Sequence, residues 1–176
     1  SEPIPVTAAT TTFEKDKWYV VNSDVHRYYA ITVPSYANLI LCDGAKLTVD
    51  QGIWGSSCNL WVYGQSAGTG ILEATGGAGA PGIGGYSLNM IVFGGIVRAK
   101  GGPSDKWRGS ECYSINAGAG IGSTSGPAEI NIYGGHLIAI GGDADYTRKP
   151  GLGFACYDPS SRNCILTMKG GSLTAM

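Results

Sequence analysis

Apolar and polar residues alternate in short runs that stop at glycine. In residues 129–142, EINIYGGHLIAIGG, Ile130 and Ile132 face one way while Asn131 and Tyr133 face the other. Beyond the double glycine, Leu137 and Ala139 oppose His136, Ile138 and Ile140. A period of two is the signature of a half-buried strand. The same phrase returns at 89–102, NMIVFGGIVRAKGG, and at 165–176, ILTMKGGSLTAM. Looser copies occupy 60–77, LWVYGQSAGTGILEATGG, and 39–52, LILCDGAKLTVDQG. No segment carries a helical period.

Laid over one another, the copies give five apolar columns. Before the hinge come Leu39, Leu60, Met90, Ile130 and Leu166, then Leu41, Val62, Val92, Ile132 and Met168. After it come Leu47, Leu72, Val97, Leu137 and Leu173, then Val49, Ala74, Ala99, Ala139 and Ala175. A fifth column, after the second glycine pair, is Ile53, Ile83, Ile121 and Leu152. A unit of roughly 25–40 residues that repeats in this way signals a solenoid or array. One unit has too little apolar surface to fold alone, and stacking buries the columns as a continuous core.

The expected fold class is therefore all-β: a β-solenoid, in its simplest form a parallel β-helix of about five short coils. An antiparallel β-sandwich or prism is the alternative, because a double glycine also closes a hairpin. The expected organisation is an N-terminal arm or linker at 1–16, capping strands at 17–37, and repeats at 38–176 that leave an open C-terminal end.

Composition narrows the classes of partner. Only 14% of the 176 residues are charged and the net charge is −1, so no electrostatic footprint for nucleic acid is present. No apolar run reaches the ~18–20 residues of a membrane span. Glycine, at 29 residues, has about twice its ordinary share, as a chain of repeated sharp turns requires. The five cysteines show no CxxC spacing, which leaves zinc and thioredoxin-type chemistry without support.

The runs NLILCDGAKLTV, LWVYGQSAGTGILEATGG and INIYGGHLIAIGG resemble a glycine-rich repeat region of large secreted surface proteins from anaerobic, often gut-dwelling, bacteria. The likeness spans residues 18–176. It implies an extracellular, repetitive, structural or adhesive region, and it carries no catalytic residues with it. Two departures stand out: cysteine-containing loops, and Arg98, Lys100 and Lys169 where threonine is usual.

Candidate chemistry is sparse. Stacking places Glu73 beside Arg98, an arrangement that is ordinarily a surface cross-strand ion pair. Asp143 and Asp145 form a weak candidate for a calcium loop, without the nonapeptide repeat such loops use. His26 and His136 have no partner at ligand spacing, so no metal, cofactor or catalytic set is assigned.

The position just before the hinge reads Cys42, Tyr63, Phe93, Tyr133 and Lys169, an outward aromatic column. Together with Trp107, Tyr113 and Tyr146 of the intervening loops, Tyr63, Phe93 and Tyr133 are the candidate ligand-binding residues. Flat rings pack on sugars and on proteins; the other reading of the column is a satellite core beneath the loops. Cys156 and Cys164 bracket seven residues and are the expected disulfide, with Cys112 as the rival partner.

The expected function is an extracellular structural or adhesive segment without catalysis, secreted or displayed at the cell surface. It would self-associate end to end through Leu173, Ala175 and Met176 into an oligomer or filament. The alternatives are a carbohydrate-binding module that meets a glycan or a cell-surface protein and, further off, a polysaccharide lyase or hydrolase.

Overall fold

The computed structural model describes residues 2–106, 114–115, 117–144, 150–156 and 164–176. Among these the chain is all-β, without a helix. Two sheets hold nearly all of the strands. In the smaller, the strands Val25–Arg27, Lys46–Val49, Ile71–Thr75, Ile96–Lys100, His136–Ile140 and Ser172–Ala175 lie side by side in chain order, every pair parallel. The larger takes the strands between them, among them Trp18–Val21, Tyr36–Leu41, Ile53–Gly64, Ile83–Val92, Ala128–Ile132 and Cys164–Met168. Its pairings are parallel too. Among the described residues the single antiparallel pairing is the two-residue pair Asp105–Lys106 with Ser114–Ile115. The strands therefore do not form the antiparallel sandwich or prism.

Alternation decides which residues go inside. Ile71–Thr75 and Ile96–Lys100 share one burial rhythm, in which the second and fourth residues are buried and their neighbours half-buried. Leu47, Leu72, Val97 and Leu137 follow one another in register, all essentially buried, and Leu173 is the next partner. Each such buried side chain stabilises the fold by about 1.5–3 kcal/mol. The alanine column Ala74, Ala99, Ala139 and Ala175 runs beside it in register with Val49.

Three of the expected columns shift by two residues. Leu39 pairs with Val62 and Ala37 with Leu60, so the two columns before the hinge are Ala37, Leu60, Met90, Ile130 and Leu166, and Leu39, Val62, Val92, Ile132 and Met168. Likewise Ile121 meets Phe154 rather than Leu152, which is exposed. A slip of two preserves the face that each residue points to, so hydrophobic pattern alone does not distinguish the two registers.

The two kinds of glycine pair do different work. Before the smaller sheet, Gly95, Gly135 and Gly171 adopt φ of +81°, +80° and +76°, a left-handed bend that a side chain resists. After it, space decides: a Cβ on Gly102 would fall on the carbonyl oxygen of Gly77, and one on Gly142 on that of Gly102.

Within residues 17–37, Trp18–Val21, Val25–Arg27 and Ile31–Thr32 each pair in parallel with a later strand of their sheet. The residues before them lie against these strands. Ile4–Pro5 pairs in parallel with Tyr19 and Val20, and Val6 and Phe13 are buried. Phe13 packs on the Tyr19 ring at 4.6 Å, and the Tyr19 hydroxyl accepts a 2.8 Å hydrogen bond from the Glu14 backbone N–H. The apolar residues at positions 4, 6 and 13 are spaced too irregularly to declare a strand, and only the exposed end of the core gives them a surface to cover.

Candidate functional site

The aromatic column stands on the outer face of the larger sheet, at the bend into the smaller one. Tyr63 and Phe93 stack with centroids 4.9 Å apart and planes at 12°, and Phe93 and Tyr133 at 5.3 Å and 16°. Register supplies this geometry, because equivalent residues on neighbouring parallel strands sit one strand spacing apart. Ile40, not Cys42, pairs with Tyr63; the CDG bend begins two residues later than the double-glycine bends do. Trp18 closes one end at 5.0 Å from Tyr63, and Lys169 the other, its Nζ 5.0 Å from the Tyr133 ring centre.

This closure limits what the column can do. Phe93 and Tyr133 are 42% and 44% exposed, yet both faces of each ring meet a neighbour. What solvent sees is mainly ring edges. Offset stacking and cation–π contact use the faces to tie five strands together, at about 0.5–1.5 kcal/mol per aromatic pair. Partial burial raises the Tyr63 hydroxyl above the usual tyrosine range. Of the other ligand candidates, Trp107, Tyr113 and Tyr146 lie outside the described residues.

Charged side chains of the smaller sheet's outer face pair with one another. Glu73 bridges its two neighbouring strands, touching Lys46 on one side and Arg98 at 3.8 Å on the other. His26 Nε2 lies 2.9 Å from Asp50 Oδ2. Lys100 Nζ donates to Asp143 Oδ2 at 2.6 Å, which commits that candidate calcium ligand to an ammonium. Asp145 lies outside the described residues, and no cluster of three or more His, Cys, Asp or Glu able to hold a metal occurs among those described. His136 Nδ1 lies 2.6 Å from the Ser172 hydroxyl of the next strand.

Cys156 and Cys164 form a disulfide with Cα atoms 6.1 Å apart. Cys112 lies outside the described residues. Cys42 and Cys58 are free thiols, and burial pushes that of Cys58 up to about 12.

Leu173 is half-buried, while Ala175 and Met176 are exposed. Leu166 and Met168 belong to inward columns, yet they are 39% and 56% exposed because Cys164–Met168 has a strand on one side only. A partner-free edge of this kind offers unpaired backbone groups and an apolar end in one place.

Three features went unread in the sequence. Asp43 accepts hydrogen bonds from the Ala67 and Thr69 backbone N–H groups at 2.9 and 3.1 Å and so pins the longest bend. Those two bonds hold its carboxyl below the usual range. Tyr36 stacks on Trp61 at 5.9 Å, and Trp54 meets Tyr86 edge-on at 5.6 Å. Correct register would have found the first pair; Trp54 and Tyr86 lie where the repeats diverge, so no column announced them.

No protein-family model matches the chain, and neither a curated protein nor a solved structure matches it.

Proposed function

We propose that the chain is a segment of a parallel β-solenoid with a structural or adhesive role outside the cell, associating end to end through its last pass. The observation that carries the reading is that passes stack in unbroken parallel register and that the last presents inward-column side chains to solvent. An array built from such units is held by nearest-neighbour contacts, so a further pass supplied by another molecule gains the same kind of burial as an internal one. The Cys156–Cys164 disulfide supports the extracellular placement, since disulfides persist in oxidising compartments. The reading assigns no catalysis: Glu73, Asp50 and Asp143 spend their charge on neighbouring Lys, Arg and His side chains.

The N-terminal lid shapes the association. Ile4–Pro5 is already paired within its own chain, which makes it a poor strand donor for a neighbour. Contact between two C-terminal ends leaves both lids in place and closes as a dimer, whereas a head-to-tail filament requires the lid to lift. Light scattering and electron microscopy over a concentration series test this. The expected result is concentration-dependent association that Leu173→Asp abolishes. A strictly monomeric particle, unchanged by Leu173→Asp, would refute end-to-end association.

A further inference from the structure

A shallow pocket of about 240 Å³ lies on the outer face of the larger sheet, away from the stacked column, where Ile53–Gly64, Ile83–Val92 and Ala128–Ile132 run side by side. Asn59, Asn89 and Glu129 are register partners on these three strands, and Ser87 lines the pocket next to them. Strand pairing thus presents an amide, an amide and a carboxylate in a row, one strand spacing apart. Trp54 and Tyr86 stand on the first two of the same strands, 37% and 53% exposed.

The two aromatic arrangements differ in what they leave free. The rings of Tyr63, Phe93 and Tyr133 cover one another face to face. Trp54 and Tyr86 meet at 65°, an edge contact that leaves ring face open to solvent. The register partners of Trp54 are Thr32 on one side and Gly84, then Gly122, on the other, so toward the later strands no register-partner side chain flanks the indole.

The polar groups narrow the ligand. No lysine or arginine lines the pocket, which disfavours an anion. One carboxylate among neutral oxygens is too little charge for a divalent cation. Glu129 Oε1 accepts from Asn131 Nδ2 at 2.9 Å, and Asn59 Nδ2 donates to the Ser57 carbonyl at 2.9 Å. Asn89 Oδ1 is buried and has no hydrogen-bond partner, an unsatisfied state that buried polar groups rarely keep. Rotation of that carboxamide into the pocket offers it to a hydroxyl donor. The pocket is lined by amides, hydroxyls and a carboxylate, and Tyr86, next to Ser87 in the strand, carries the exposed aromatic pair to its edge; that combination suits a ligand with many neutral hydroxyls and apolar ring faces.

We propose that this surface, with Trp54 and Tyr86 as the platform and Asn59, Ser87, Asn89 and Glu129 as the polar wall, binds a neutral oligosaccharide. This does not rest on the end-to-end reading: Glu129 neighbours Ile165 of the last strand in its sheet, but the pocket opens on the outer face, whereas end-to-end contact uses the inward columns. The test is calorimetric titration of the intact chain with neutral hexasaccharides of glucose, xylose, mannose and N-acetylglucosamine, with hexagalacturonate as the charged comparison. At least one neutral sugar is expected to bind, with affinity falling about tenfold in Tyr86→Ala and in the near-isosteric Glu129→Gln. Tyr29→Ala removes another exposed ring and is expected to leave affinity within about twofold. Circular dichroism melts confirm that each variant is folded. Binding of no neutral sugar at millimolar concentration, binding of the charged sugar alone, or losses in Tyr29→Ala as large as those in Tyr86→Ala would each overturn the proposal.

Discussion

At the N-terminal end of the stack, Val6 and Phe13 are drawn from an irregular stretch of sequence and are buried; at the C-terminal end, Leu166 and Met168 sit in regular repeat columns and are exposed. Regularity therefore does not decide burial. Val6 and Phe13 are buried because the segment that carries them folds down over the strands at 18–32, and no such segment lies over Leu166 and Met168 among the described residues. The lid also blunts its edge: its strand is two residues long and includes Pro5, which has no N–H to offer. Cys164–Met168 and Ser172–Ala175 keep ordinary unpaired edges.

The largest way to break this comparison is Phe13→Ala. Removing a fully buried ring should cost about 3–5 kcal/mol in urea unfolding, and a loss below 1 kcal/mol would mean that the lid is not part of the folding unit. Gly102→Ala comes next, since its Cβ would fall on the Gly77 carbonyl. A loss of about 1–3 kcal/mol is expected from the forced backbone shift. Phe93→Ala removes two stacked pairs and should cost about 1–3 kcal/mol, with Tyr133→Ala smaller because Tyr133 has a single ring neighbour. Leu173→Ala, at the uncovered end, should cost under about 1 kcal/mol in dilute solution, and a Phe13-sized loss would erase the contrast between the ends.

The smallest effect is expected at Asp43. Its folded pKa is depressed, so its contribution is present above the unfolded value and lost as pH falls through the folded one. As pH falls below the ordinary carboxylate range, the protection of the Ala67 and Thr69 amides relative to a free peptide should drop in the native chain. Asp43→Asn should show no such acid-dependent step, whereas an identical pH profile in both would remove Asp43 as the anchor of that bend.

Much of the fold was legible because the period-two pattern fixes which way a residue points. The columns after the hinge, Leu47 to Leu173 and Val49 to Ala175, pair as the pattern arranges them. Where a bend changed length, at Cys42 and again at Leu152, the pattern was blind to a two-residue slip. The lid was illegible for a different reason: Val6 and Phe13 form no repeat, and their burial is created by the surface they cover. The aromatic column was legible as a column but not as a closed one, because ring planes and the positions of Trp18 and Lys169 follow from register rather than from order in the chain. Trp54, Tyr86 and the row Asn59, Asn89, Glu129 emerged only once neighbouring strands were aligned.

The central claim is that the two ends differ because residues 2–16 cover one, while the last described strands of the other have a neighbour on one side only, the edge at which end-to-end association is proposed. Hydrogen exchange across a concentration series measures it most directly. In dilute solution the backbone N–H groups of Val6 and Phe13, bonded to the Val20 and Thr32 carbonyls at 2.8 Å, should be protected, while Cys164–Met168 and Ser172–Ala175 exchange much faster. As concentration rises, protection should grow in those last two strands and stay constant at the lid. Equal protection at both ends in dilute solution, or protection of the last strands that never responds to concentration, would contradict the account.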